Sequence, residues 1–388
     1  MTLPLLQAIV LCTFVDIHSG RPHRAFVTLG IGIRLAEAVG LLAEPSDQLS
    51  PIEREEHRRV FWAMYMLDRI AGTGRSLVQS IRDEEVEVQL PMDEESFAKG
   101  IAKFTAPLIP IEDEESDQLE DLGIVAYLVR ILAIWGRVVK YVIQGKTGQR
   151  STTQPWHPGS DFAAIEAQLL QFESNFPKQH RYTPETLRQR VIGDEARYYA
   201  GPWLIMQFIY HTAHCLLHHP VFPTLRLQHI WKKIPGAFLQ RSSDMRLVHS
   251  RWIVRFIRDA DACGYELMSP FMGYCVCMPP FILGTELMLG VAATVYLQHC
   301  HSDDEKVRNE AAGEYRTAMD FLRRASRPFP ALLTAVLPLL PPYISSPLTF
   351  GRSTSYNSSN KTSHYGKPLP KPTPSHLEHK TYPSCSTP

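Results

Sequence analysis

Ser50–Asp93 reads SPIEREEHRRVFWAMYMLDRIAGTGRSLVQSIRDEEVEVQLPMD, and the reading of this stretch decides the fold. Ser50 stands where it can cap free helix amides, Pro51 occupies the first helical position, and Glu53 is spaced to reach back to the cap. A helix is therefore expected to begin here. Val60, Met64, Leu67 and Ala71 recur at spacings of three and four, and Phe61 and Tyr65 widen the stripe. Glu55, Arg58 and Arg59 fall on the opposite side, which is expected to stay in water. Gly72 and Gly74 stop the helix, after which Val86, Val88 and Leu90 alternate with Glu85, Glu87 and Gln89 as far as Pro91. That alternation describes an extended ribbon laid against a helical body. Asp68 and Arg69 are placed to fix the ribbon by ion pairs while Trp62 fills the core. A second reading has Trp62, Asp68, Arg69, Arg75 and Asp83 contact a small-molecule effector.

Outward from this stretch the pattern stays helical. Leu6, Ile9, Val10, Phe14 and Ile17 form one stripe, Ser19–Pro22 a turn, and Phe26, Leu29, Ile33 and Ala36 a second stripe ending near Gly40, which together predict a helical hairpin. Gly30 falls inside the second helix, where close approach by a neighbouring helix would explain it. Further helices are expected over Leu119–Gln144, Asp161–Phe176, Ala196–Phe222, Ser242–Cys263, Pro279–Cys300, Asp303–Arg324 and Pro328–Leu340, with no credible strand. The fold class is all-α: one multi-helix domain over residues 1–340, with its motif-rich part at 20–93 and an acidic loop at 107–121. Residues 341–388 turn to Ser, Thr, Pro and Lys, a composition too poor in apolar surface to order itself, and are expected to form a disordered tail.

Composition bounds the function. Lys plus Arg and Asp plus Glu each number 40, so no global positive field is present to hold nucleic acid by counterion release. Seven scattered cysteines do not resemble a disulfide framework. A reducing compartment fits them. No secretory signal is evident, and the longest apolar run, Phe281–Leu297, contains Glu286 and would span only about 25 Å as a helix. No membrane role is expected.

Several side-chain groupings could carry chemistry. His211, His214, Cys215, His218 and His219 share a predicted helix at ligand-like spacing, but no carboxylate accompanies them, and the mixed face they share with Leu204, Gln207 and Phe208 suits a half-buried structural helix. Cys275 and Cys277 form a lone pair without the second pair that a zinc finger needs. The acidic run Glu112–Asp117 sits beside Pro107 and Pro110 with no partner carboxylate motif, so a magnesium-dependent diphosphate chemistry is the weaker reading and no enzyme is expected. Trp203, Met206 and Tyr210 could wall an effector pocket, although that spacing also suits plain core.

The motif Glu56-His57-Arg58-Arg59-Val60-Phe61-Trp62, then Leu67-Asp68-Arg69, Gly74-Arg75, and Ile81–Pro91 resembles the middle homology region of fungal binuclear zinc-cluster transcription factors, the xylanolytic-activator regulatory domain. Family members commonly have Pro after Gly-Arg, where this chain has Ser76. Gly20–Phe26, Gly30-x-x-x-Arg34-x-Ala36 and Gly40-Leu41 are similar to the same region in the same order, and Ala196–Phe222 and Ser269–Gly284 are similar to its later helices. Little precedes the first motif, so the chain is expected to start inside the domain. The resemblance implies a nuclear regulator of RNA polymerase II transcription. DNA would be contacted by a zinc-cluster module missing from these 388 residues, and zinc is expected only in that upstream cluster. It also implies transcriptional co-regulators as partners. The alternative is a stand-alone helical module that binds proteins or senses a small molecule without touching DNA.

Overall fold

The fold grows from a helix whose ends are set by the residues that the sequence nominates. The Ser50 hydroxyl accepts the Glu53 amide at 3.3 Å, and the Glu53 carboxylate accepts the Ser50 amide at 2.9 Å, closing a reciprocal cap ahead of Pro51–Ala71. Gly72 ends the helix by returning its amide to the Asp68 carbonyl. Replacing Ser50 with Ala should lower stability by about 1 kcal/mol in urea unfolding, because the cap is exposed and only one hydrogen bond is lost.

The computed structural model describes residues 3–72, 78–109, 122–144, 153–192, 196–219, 233–267, 269, 271–272, 275, 295–296, 299–300 and 304–329. Arg75, most of the acidic loop, Cys277, the run Phe281–Leu297 except Val295 and Tyr296, and the tail 341–388 lie outside the described residues.

Among the described residues there are ten α-helices and no strand: α1 Leu3–His18, α2 Pro22–Ala38, α3 Pro51–Ala71, α4 Glu94–Ala98, α5 Ile124–Val139, α6 Asp161–Ser174, α7 Pro184–Arg190, α8 Gly201–Leu217, α9 Gly236–Ala262 and α10 Glu305–Ala325. The multi-helix architecture agrees with the periodicity, and the expected helix ends at Gln144 and Ala196 are met by π-helical turns. Lys140–Gln144 continues α5 as a π-helical turn, and Ala196–Ala200 precedes α8 as another, just ahead of Pro202, whose missing N–H suits the opening of an α-helix. α9 begins six residues before the predicted start, and its first turns are anchored by Phe238 against Trp156 and Phe162.

α1 and α2 form the hairpin, turned at Gly20 with φ +69°, a conformation that side chains rarely adopt. Both pack on α3, α3 packs on α5, and α5 packs on α8, which is in turn covered by α9, while α10 lies on α9. α5 and α8 run through the middle and are apolar on nearly all sides, with Trp135 and Trp203 fully enclosed. Within α2 the expectation for Gly30 fails. A methyl group there would meet nothing within 4 Å, whereas at Gly32 it would lie 2.6 Å from Ile9 Cγ2. The close helix approach is real but sits half a turn later. On α1 the inward face likewise includes Thr13 and Asp16, while Phe14 is exposed.

Candidate functional site

The ribbon from Ser80 to Met92 lies across α3, and the groups that hold it there are charged and buried. Arg69 is 2% exposed. Its guanidinium donates to Asp68 Oδ2 at 2.8 Å, to the Ile81 carbonyl at 2.9 Å and to Asp83 Oδ1 at 2.6 Å. It also lies 4.1 Å above the Tyr65 ring, and the Tyr65 hydroxyl donates to Asp83 Oδ1 at 2.6 Å. Asp68 accepts the Ser80 amide at 3.0 Å and the Ile81 amide at 3.2 Å. One cation and one anion on adjacent positions of α3 thus satisfy both the donors and an acceptor of the ribbon backbone. Gly136 of α5 makes room, since a methyl group there would stand 2.8 Å from Arg69 Cδ and 2.9 Å from Gln79 Oε1.

Burial pushes the Asp68 carboxyl above the ordinary aspartate range, with the two ribbon amides and Arg69 opposing that rise. Desolvation likewise disfavours the Arg69 charge, but Tyr65, Asp83 and Asp68 outweigh it and raise the guanidinium. Burial also raises the Tyr65 hydroxyl, which stays protonated and donates.

The far end of the ribbon is held by residues expected in water. Glu55 is 0% and Arg58 5% exposed, so the polar face of α3 is not a solvated face. The physical reason is that the ribbon covers it, and the ribbon's own amides and carbonyls then need partners. Glu55 Oε1 accepts the Met92 amide at 3.0 Å and Arg59 Nε at 2.9 Å. Arg58 donates to Glu44 at 2.8 Å and to Gln89 Oε1 at 3.0 Å, and Glu44 accepts the Gln89 amide at 3.0 Å. Trp62 Nε1 donates to the Gln89 carbonyl at 2.7 Å, and the Leu90 amide bonds the Ala106 carbonyl at 3.0 Å. Burial raises the Glu55 carboxyl against the pull of Arg59 and Arg58. Between these ends Val88 and Leu90 point into the core, as the alternation predicts.

The structure therefore brings Trp62, Asp68, Arg69 and Asp83 together in one latch. Arg75 lies outside the described residues. Glu44, Glu55, Arg58 and Gln89, and the hydroxyl of Tyr65, complete the latch and were not singled out. The signal available for them was the density of charge on a helix whose other face is already full of aromatic side chains.

The histidine-rich face is buried. Nδ1 of His211 meets Nδ1 of His249 from α9 at 2.8 Å, and His214 stacks on His249 at 3.9 Å. Both ring nitrogens of His214 are buried without a hydrogen-bond partner. Burial lowers all five imidazoles: His211 falls well below the usual range, His214 to about 2, His218 and His219 to about 3, and His249 to about 4. Among the described residues no group of three or more His, Cys, Asp or Glu side chains is placed to hold a metal ion. Cys215 is buried, and burial raises its thiol.

A cavity of about 230 Å³ lies between α6, α8 and α9, lined in part by Met206 and Tyr210. Trp203 does not line it but donates to the His180 carbonyl at 2.7 Å inside the core. None of the latch residues named above lines this cavity. Among the described residues no helix is long and apolar enough to cross a membrane.

Among the described residues the body is thus helical, with a charged latch buried under one ribbon and its histidines buried in the core. Residues 1–174 match the fungal specific transcription factor domain, and the chain is similar to Zn(2)-C6 fungal transcription factors. The match contains the whole latch. The chain is 31% identical over 218 residues to an uncharacterized transcriptional regulatory protein of Schizosaccharomyces pombe, covering 51% of this chain and 22% of that protein. It is 25% identical over 294 residues to the Zn(2)-C6 fungal-type transcription factor FTF1c of Fusarium oxysporum f. sp. lycopersici, covering 70% of this chain and 30% of the relative. A second transcriptional regulatory protein of Schizosaccharomyces pombe is 25% identical over 296 residues, covering 71% of this chain and 34% of its own. The chain thus spans between about a fifth and a third of the relatives it matches. No solved structure matches it.

Proposed function

We propose that this chain is the regulatory domain of a fungal zinc-cluster transcription factor that acts in the nucleus on RNA polymerase II transcription. DNA would be contacted by a zinc-cluster segment outside these 388 residues, whose seven cysteines form no compact six-cysteine group. The observation that carries the reading is the family match over residues 1–174, supported by relatives whose names describe transcription factors and transcriptional regulators. The balanced charge of 40 basic and 40 acidic residues supports a role in which this segment does not grip DNA itself. Transcriptional co-regulators are the macromolecular partners this role requires, and a small-molecule effector is compatible with it. The latch residues Trp62, Asp68, Arg69 and Asp83 act in this reading by keeping the ribbon closed on α3, so that the domain presents one surface to its partners. Arg75 is proposed as a further contact of the same region.

The test fuses the chain to a heterologous DNA-binding domain and reads a reporter in fungal cells. The reading predicts output at least severalfold different from the DNA-binding domain alone, with the fluorescently tagged fusion in the nucleus. Output indistinguishable from the control would contradict the regulatory role and favour the stand-alone interaction module.

A further inference from the structure

The cavity between α6, α8 and α9 combines an aromatic enclosure with polar groups that the protein leaves unused. Phe172, Phe176, Tyr182, Tyr210, Trp252 and Phe256 supply its walls. These rings are fixed by one another: Tyr182 meets Phe256 edge-on at 4.5 Å, Phe172 stacks on Tyr210 at 6.0 Å, and Trp252 stacks on His211 at 5.6 Å. At about 230 Å³ the space exceeds the roughly 150 Å³ that an apolar cavity needs to hold benzene, leaving room for a ring and a short tail.

The polar groups fall at two levels. In the lining the half-buried Gln207 and the buried His211 lie one turn apart on α8. The Gln207 side chain makes no hydrogen bond to another described residue, and the His211 ring commits Nδ1 to His249, which leaves Nε2. At the mouth stand the exposed Glu173 and Arg181. Glu173 accepts the Tyr210 hydroxyl through Oε2 at 2.8 Å, leaving Oε1. Arg181 donates through Nε to the Phe176 carbonyl at 3.3 Å, and its two terminal nitrogens have no partner among the described residues. One anion and one cation therefore flank the entrance to an aromatic chamber.

We propose that this cavity binds a small aromatic zwitterion of the aromatic amino acid type. The ring would stack between the walls, the carboxylate would take the fork of Arg181, and the ammonium would take Glu173. A ring hydroxyl or N–H would find Gln207 and His211 Nε2. This choice uses every unspent polar group, whereas a simple aromatic acid leaves Glu173 unanswered and an aromatic amine leaves Arg181 unanswered. The proposal deepens the regulatory reading by naming the effector class, but binding is measured on the chain itself and stands or falls apart from any reporter.

The test is calorimetric titration of the full chain with L-phenylalanine, L-tyrosine and L-tryptophan, with phenylacetate, 2-phenylethylamine and L-leucine as comparison probes. At least one aromatic amino acid should bind saturably with one site per chain, and each comparison probe should bind about tenfold more weakly or worse, the loss of one charge-assisted contact or of the ring. Arg181→Met should weaken binding by about tenfold without moving the unfolding midpoint, since the side chain is exposed, and Gln207→Trp should abolish binding by filling the chamber. Absence of binding by all three amino acids would overturn the proposal. So would phenylacetate, 2-phenylethylamine or L-leucine binding as tightly as the amino acids, or Gln207→Trp leaving affinity intact. If the reporter fails while titration succeeds, the regulatory reading is lost and the site remains.

Discussion

Arg69→Ala is expected to destabilise the chain by about 3–5 kcal/mol, the usual cost of removing one member of a buried charge cluster. Three features place this substitution at the large end. Arg69 and Asp68 are each 2% exposed, so water cannot replace the lost partner. The guanidinium serves Asp68, Asp83 and the Ile81 carbonyl at once, so its removal takes the cation from Asp68 and a donor from the Ile81 carbonyl, and leaves Asp83 to the Tyr65 hydroxyl and to Arg137 at 3.6 Å. Gly136 lies against the Arg69 side chain, so its loss also opens a void against α5. Arg69→Lys should recover only part of the loss, because an ammonium keeps the charge but cannot present the planar fork to Asp83 and Ile81 together. Urea unfolding of the two variants beside the parent chain measures both effects. Equal stability of all three would mean that the cluster holds nothing.

Acidification from pH 7 to about pH 5.5 is expected to cost roughly 5 kcal/mol through the five buried histidines. His214, His218, His219 and His249 have folded pKa values of about 2, 3, 3 and 4, and His211 lies well below 6.5, all because burial disfavours the imidazolium. The sign follows from linkage. In the unfolded chain these groups take up protons as pH falls through about 6.5, while in the folded chain they stay neutral until far lower, so protons pull toward unfolding. Each histidine contributes about 1 kcal/mol over this interval. The charged neighbours do not offset the trend: Arg241 and Arg246 from α9 face the cluster and lower His218 further, and the nearest carboxylate, Glu166 of α6, stands 3.7 Å from His218 Nε2 and is shared with Arg241. The raised carboxyls of Asp68 and Glu55 act in the opposite direction, but they are two groups against five. His214 has no hydrogen-bond partner, so His214→Phe should remove about one proton from the pH slope with little loss at neutral pH. Unfolding free energy that stays level between pH 7 and 5.5 would show that the imidazoles reach solvent.

Much of the fold was legible because helical period, caps and glycine stops agree with one another. Ser50, Glu53 and Gly72 do in space what their spacing announces, and the alternation over Val86–Leu90 correctly describes an extended segment. What could not be read was which surface the ribbon covers. Periodicity assigns charged positions to water unless something else arrives, and here the arriving element is a backbone with unpaired amides and carbonyls. Glu55 and Arg58 are buried because they satisfy those groups, a long-range demand invisible in the spacing of α3 itself. Gly30 and Gly32 teach the same lesson on a smaller scale, since only the relative rotation of two helices decides which glycine meets Ile9. The cavity was legible only in part for a related reason: Met206 and Tyr210 share one sequence window on α8, while its other walls come from α6, α9 and a connector.

The central claim is that the ribbon is clamped on α3 by buried charge, and native-state amide hydrogen exchange reads it most directly. The amides of Ser80 and Ile81 bond Asp68, that of Gln89 bonds Glu44, and that of Met92 bonds Glu55. The account predicts that these four exchange as slowly as the interior of α3 in the parent chain, and that Arg69→Ala frees Ser80 and Ile81 first. Rapid exchange at all four positions in the parent chain, beside a protected α3, would contradict it.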